Sequence, residues 1–456
     1  MGLFDFLKKN KEQQQPAAQE HSSVFGVEDI FNLKRSGDLV VVGEVKGQIR
    51  VGDTLWARNI GDEDAKSFLV NIKQIQNIKQ QSVSELVDTK GSLLIEVDSS
   101  LLKKGTVISN ESSSDKERYG AYVTALGNSF VRLQNGTLSE ADIADVSFSD
   151  IAEIIRLFIW YHSQNAENEA SGMQEAYQGK LEILKGILKD KILEVNAFYA
   201  VYSTATGEPH LFSKTFKYDD GSYSCSGPLI QICPLVSHSE LQSYIEQEPK
   251  FTLEKIVKGE DGQGIVHFLE ASFYLNGAVG VFTLEEQVSV SAEDLVAPPD
   301  WSHLPAIQIP ITNPDLVRWM LLMGQLGNLE TEDQQLIYRL YHRFMSQELV
   351  KAKFLVPTKR DGEMEQPDEE GKTTLTKDTT FSFPLKKGNG DGYVLPMFTD
   401  WKRMGMVFDE TWEGWIQPID GMISKFDCTI NATTFPQAGL YISQESLDEM
   451  KQQLER

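Results

Sequence analysis

Positive charge and cysteine are both scarce in this chain. Against 67 Asp and Glu stand 43 Lys and Arg, a formal net charge of -24. A surface that acidic repels phosphate backbones, so nucleic acid is not an expected partner, whereas basic proteins are. Three cysteines, Cys225, Cys233 and Cys428, make an odd, thinly spread set with no C-x-x-C pair. They read as buried thiols of a reducing, cytoplasmic compartment, and not as a disulfide framework. No apolar run of about 18 residues occurs, so no membrane-spanning helix is expected, and no secretion signal is visible.

Motifs of catalysis are missing too. Among seven histidines no pair has H-x-x-x-H or H-E-x-x-H spacing, and there is no G-x-S-x-G elbow; metal ligands, cofactors and catalytic residues are accordingly expected to be none. Gly371-Lys372-Thr373-Thr374 hints at a phosphate-binding loop, but Gln366 stands where the first glycine is required. The carboxylates between Asp361 and Glu370 lack the alternating order of a calcium loop and read as a solvated acidic segment. Asp261-Gly262-Gln263-Gly264 reads as a hairpin turn.

At 456 residues the chain is long enough for two to four domains. Leu3, Phe4, Phe6 and Leu7, followed by Lys8 and Lys9, form a short amphipathic start that would dock weakly on a partner or a membrane surface. A Gln-rich linker follows, and residues 1–23 read as a mobile tail. From residue 24 to 112 the pattern has period two, with strands expected at Val24 to Phe31, Leu39 to Lys46, Thr54 to Ala57, Ser67 to Ile75 and Ser92 to Val97. Gly52-Asp53 marks a turn between two of the alternating segments. Short strands without a long intervening helix predict a small closed barrel.

The stretches Val27-Glu28-Asp29-Ile30-Phe31, Gly37 to Val45, Gly47 to Leu55 and Leu101 to Ile108 resemble the second-domain barrel of translational GTPases such as elongation factor Tu. No nucleotide-binding loop precedes them, so the resemblance implies a barrel detached from its GTPase. A factor acting at the translation machinery through this barrel is one functional reading, and it calls for a basic patch near Lys34, Arg35, Lys46 and Arg50.

Beyond residue 112 the chain reads as one domain used twice, 113–304 and 305–456. A single offset of 162 residues relates Pro234 to Pro396 and Ser237 to Thr399, each a hydroxyl residue closing an apolar run and placed to cap a helix. The first copy is read as strands within Tyr119 to Leu133, a helix opened by Asp150 and one through Leu181 to Ile192. Strands at Ala197 to Tyr202 and Pro228 to Cys233, a helix from Ser237 to Ile245 and a strand near Val266 to Leu275 follow. In the second copy Asn313 caps and Pro314 starts a helix, a second runs through Leu336 to Leu349, and strands follow at Ala352 to Pro357 and Tyr393 to Phe398. The closing segments Val288 to Leu295 and Leu440 to Leu447 match in residue type.

Asn313-Pro314-Asp315-Leu316, Phe354-Leu355-Val356-Pro357, Tyr393 to Thr399 and Ala438 to Ile442 resemble the N-terminal domain of the SseB family, named for enhanced serine sensitivity; the first copy matches through Cys233 to Ser237. The resemblance implies α+β domains, helices on a mixed sheet, acting as binding modules. Between them, Trp401, Met404, Phe408, Trp412 and Trp415 crowd aromatic and methionine side chains into one stretch, the composition of a partner-binding surface. The whole reads as a multidomain, non-catalytic adaptor: a translation-factor-like barrel and two SseB-like α+β domains. A hydrolase with a site assembled between the two copies is a third reading, requiring a His within reach of a Ser or Cys.

Overall fold

The computed structural model describes residues 22–33, 38–62, 65–132, 143, 146–165, 173–234, 245–246, 248–283, 288–304, 308–362, 379–388 and 392–455. The amphipathic start, Lys34, Arg35, Ser237, the Gly371 string and most of the acidic segment lie outside them. The chain divides into two compact units, 1–187 and 188–456.

The first unit holds β1 (Val24–Asn32), β2 (Leu39–Lys46), β3 (Gln48–Arg50), β4 (Thr54–Asn59), β5 (Phe68–Asn77), β6 (Ser82–Val83), β7 (Glu85–Val87), β8 (Lys90–Ile95) and β9 (Thr106–Ser109). Six of them close a barrel in the order β4-β9-β1-β2-β8-β5, with β5 pairing back onto β4. Alternation drives this: Leu39, Val41 and Val45 of β2 all point inward. They meet Phe25, Ile72, Ile75, Leu93 and Ile95, a core sealed from water. Gly52 takes the positive φ that the turn before β4 needs (φ 93°).

Strands were expected between Tyr119 and Leu133, and a helix stands there instead: α1 (Asp115–Leu126), running on into a π-helical turn, Gly127–Arg132. The cause lies just upstream. Ser114 Oγ accepts from the Glu117 amide while the Glu117 carboxylate accepts from the Ser114 amide, a reciprocal cap that nucleates the first turn. Ala121, Tyr122, Ala125 and Leu126 then form one buried face. That face lies on β1 at Gly26, where a Cβ would sit 2.5 Å from the Ala121 carbonyl oxygen.

Next comes α2 (Phe148–Asn165), whose first turn carries buried Asp150. Its carboxylate accepts from Tyr122 Oη and from Lys103 Nζ, both at 2.7 Å, which ties α2 to α1 and to the loop before β9. Helix α3 (Met173–Glu194) crosses from the first unit into the second.

The second unit begins with β10 (Ala197–Ser203), β11 (Leu211–Phe212), the hairpin β12 (Thr215–Lys217) and β13 (Tyr223–Cys225), β14 (Leu229–Cys233) and β15 (Phe251–Val257). Where a strand was expected near Val266 to Leu275, α4 (Gly264–Tyr274) forms, because Ile265, Leu269 and Phe273 recur every fourth residue and bury one helical face. Asp261 to Gly264 accordingly leads from β15 into this helix and does not close a hairpin. β16 (Gly280–Phe282), β17 (Ser289–Ser291) and α5 (Ala292–Leu295) complete the first half.

The second half opens with α6 (Pro314–Gln325) and α7 (Glu332–Leu349), then β18 (Lys353–Asp361), β19 (Thr380–Ser382), β20 (Lys386–Lys387), β21 (Tyr393–Met397) and α8 (Trp401–Gly405). It ends with β22 (Glu413–Pro418), α9 (Ile419–Ile423), β23 (Asp427–Ile430), β24 (Leu440–Ile442) and α10 (Gln444–Leu454).

Two sheets result, and they follow one plan. The first runs β15-β10-β14-β16-β17. In the second, β22 pairs with β18, β18 bridges to the end of β21 at Leu355 and Phe398, and β21-β23-β24 follow. Strand senses agree at every step: antiparallel, antiparallel, parallel, antiparallel. A helix joins the corresponding strands in each, α4 before β16 and α9 before β23, and the closing serines Ser291 and Ser443 both cap the helix that follows.

Two expected caps behave differently. Asn313 makes no side-chain cap bond; its amide donates to the carbonyls of Lys353 and Thr399, tying α6 to the sheet. Thr399 is replaced as cap by Asp400, whose carboxylate accepts the Arg403 amide at 2.9 Å. Thr399 is buried and hydrogen-bonded to Asn431 instead.

Candidate functional site

The aromatic stretch falls on both faces of the second sheet, because successive residues of a strand point to opposite sides. On one face Trp401 lies over Gly414: a Cβ there would come 2.5 Å from Trp401 Cη2 and 3.0 Å from Leu355 Cδ2. Phe408 and Trp412 meet edge to face at 4.9 Å on the same side, against Leu355, Phe398 and Met404. Lys359 Nζ stands 4.8 Å from the Trp412 ring. On the opposite face Trp415 stacks with both Phe381 and Phe383, at centroid distances of 6.1 and 5.9 Å.

Exposure sorts the five candidates. Trp401 and Trp415 are 47% and 45% open to solvent. Phe408 and Trp412 are half-buried. Met404 is only 2% exposed and belongs to the core beneath them, so no partner reaches it. Two surfaces therefore stand where the sequence places one groove. Phe381, 37% exposed, joins the second surface; sequence spacing could not show this, because Phe381 and Trp415 meet only through the pairing of their strands with β18.

Beneath the Trp401 face lies a buried ionic network. Arg403 Nη2 donates to Glu208 Oε1 at 2.9 Å and to Asn276 Oδ1 at 2.7 Å, while Nη1 donates to Asp400 Oδ2 at 2.6 Å. Asn276 Nδ2 closes the ring onto Glu208 Oε2 at 3.0 Å, and Lys402 Nζ lies 3.6 Å from the same oxygen. Charges balance and each guanidinium nitrogen named has a carboxylate partner, the condition under which a buried ion pair holds. A cleft of about 390 Å³ opens beside it, lined by Tyr202, Lys255, His267, Asn276 and Lys402 among others. The Tyr202 hydroxyl is pushed up to about 12, by burial first and then by Glu208 and Glu254, so it stays protonated.

His210 is packed between Phe212 and Phe251, with its Nδ1 buried and unpartnered. Burial, with Lys250 nearby, drives its pKa down to about 3. Cys233 and Cys428 are buried and Cys225 is half-buried; burial raises all three thiols. Among the described residues no group of three or more His, Cys, Asp or Glu is placed to hold a metal ion, and no helix is long and apolar enough to cross a membrane.

On the barrel, four of the described cations are answered by carboxylates of the barrel itself. Arg50 pairs with Glu85, Lys73 with Asp38 and Glu96, Lys90 with Glu28, and Lys104 with Asp29. Of the basic patch expected for a translation factor, Lys46 is exposed, Arg50 is neutralised, and Lys34 and Arg35 fall outside the described residues.

No family model matches the chain, and no curated protein matches it. Among solved structures it is similar to translation elongation factor SelB from Methanococcus maripaludis, in the apo form and in complex with the GTP analogue GPPNHP. Each is 20% identical over 21% of this chain and 20% of that one, with a TM-score of 0.17. GDP-bound aIF5B from Aeropyrum pernix is 9% identical over 59% of this chain and 62% of that one, with a TM-score of 0.19. The chain thus spans about a fifth of the length of the SelB structures it matches.

Proposed function

We propose that this chain is a non-catalytic protein-binding adaptor, a translation-factor-like barrel joined to two SseB-like modules, 113–304 and 305–456. The correspondence of the two sheets, strand for strand and sense for sense, supports the reading of 113–304 and 305–456 as one module used twice. The observation that carries the function is the pair of solvent-open tryptophans, Trp401 and Trp415, each held in place by its neighbours. Large, pre-ordered aromatic rings lose little entropy on binding and dominate protein interfaces. The acidic surface adds attraction for basic partners. In the reading adopted here the barrel and modules act as surfaces, in a cytoplasmic setting, with no cofactor.

The test is affinity capture by the full chain and by its Trp401→Ala/Trp415→Ala variant, at equal loading and with folding checked by circular dichroism. Proteins retained by the parent and lost from the variant are expected. An identical retained set would remove the aromatic surfaces from the function. Cosedimentation with ribosomes at low salt, abolished by Lys46→Glu, would instead favour a role at the translation machinery.

A further inference from the structure

A third surface, of opposite sign to the chain as a whole, lies between α7 and α10. There Tyr338, Arg339, His342 and Arg343 of α7 face Met450 and Leu454 of α10 across a groove of about 550 Å³. The sequence places Arg339 and Arg343 four residues apart, and on a helix that spacing stacks two side chains one turn above the other. Tyr338 and His342, also four apart, make the neighbouring stripe, with ring centroids 6.2 Å apart. Burial holds the His342 pKa down, so this stripe is aromatic and uncharged near neutral pH. Among the described residues no Asp or Glu lines the groove.

The two arginines depart from the rest of the molecule. Of the nine arginines whose side chains are described, Arg50, Arg118, Arg156, Arg318, Arg360 and Arg403 each pair with a carboxylate. Arg58, Arg339 and Arg343 do not, and the last two are exposed side by side on one helix. In a chain carrying 67 acidic residues against 43 basic ones, carboxylates are plentiful, yet none meets this pair. An apolar, aromatic floor edged by two open guanidinium groups is complementary to a ligand with carboxylates on one side and an apolar side chain on the other.

We propose that the α7–α10 groove binds an acidic amphipathic segment of a partner protein, two of whose carboxylates reach Arg339 and Arg343 while an apolar side chain enters between Tyr338, His342, Met450 and Leu454. The inference deepens the protein-binding reading but does not depend on Trp401 or Trp415.

Its test uses the full chain and a fluorescein-labelled synthetic helical peptide with Glu pairs four residues apart and Leu on the adjoining stripe, followed by anisotropy. A matched peptide with Lys for Glu, and inorganic phosphate, serve as controls. The Glu peptide is expected to bind, to weaken as salt rises, and to lose roughly tenfold or more in affinity in Arg339→Glu/Arg343→Glu. The Lys peptide is expected not to bind there, and Trp401→Ala/Trp415→Ala to leave the Glu peptide's affinity unchanged. Both arginines are exposed, so the charge reversal leaves the fold intact. Failure of the parent chain to bind, affinity unchanged by the charge reversal, or full displacement by phosphate at matched ionic strength would each overturn the proposal. An identical set of partners retained by the parent and by Trp401→Ala/Trp415→Ala, with the Glu peptide still bound, would count against the aromatic surfaces alone.

Discussion

Arg403 donates to Glu208 at 2.9 Å across 195 residues of chain, with side chains only 2% and 10% exposed. The bond joins the loop between β10 and β11 to α8. Shortening Arg403 to Met strands the Asp400 and Glu208 carboxylates without their guanidinium, and breaking a buried pair from one side costs about 3–5 kcal/mol. Urea denaturation of Arg403→Met should show that loss. Adding Glu208→Gln should recover part of it, since the double variant leaves less buried charge unmatched.

Gly414 lets Trp401 lie flat on the sheet. Gly414→Ala brings a methyl to 2.5 Å from the indole, and because Trp401 is half open it swings outward instead of straining the core. Stability should change by less than about 1 kcal/mol, tryptophan emission should shift to the red, and retention of partners should fall with it.

His210 makes the second unit sensitive to mild acid. Folded, it resists protonation down to about pH 3, whereas unfolded it takes a proton near pH 6.5. Between those values the unfolded state binds the extra proton, so stability declines as pH falls through this window, by up to about 1.4 kcal/mol per pH unit from this group. His210→Phe should flatten that slope in denaturation curves recorded from pH 7 to pH 4.

The thiols should separate by accessibility. Cys225 is half-buried, close to Thr215 Oγ1, while Cys428, raised to about 12, and Cys233 lie in the core. Iodoacetamide on the native chain should modify Cys225 first, with the other two reacting only after denaturant is added, as peptide mapping would show.

Much of the architecture was legible in the residues. The period of two in Leu39, Val41 and Val45 announced the barrel, and Pro314 marked the first residue of α6. What escaped has identifiable causes. In α1 the strand-like run Ala121-Tyr122-Val123 was overruled by the Ser114–Glu117 cap, two side chains acting before the run begins. In α4, Ile265-Val266-His267-Phe268-Leu269 mixes apolar residues at every spacing, and only the positions buried against the sheet pick out the helical period. The candidate surface was legible as composition but not as geometry: Met404 went inside, and alternation along β22 set Gly414 and Trp415 on opposite faces. The Arg403 network was out of reach of any local pattern, since Glu208, Asn276 and Asp400 are brought together only by the fold.

The fit of α1 into the notch at Gly26 has a bearing on how the barrel can be approached. That flank of β1 is roofed by the chain's own helix, so a visiting molecule arriving from there would touch helical side chains and never the strands. Any factor whose grip depends on that bare flank would find its seat already taken.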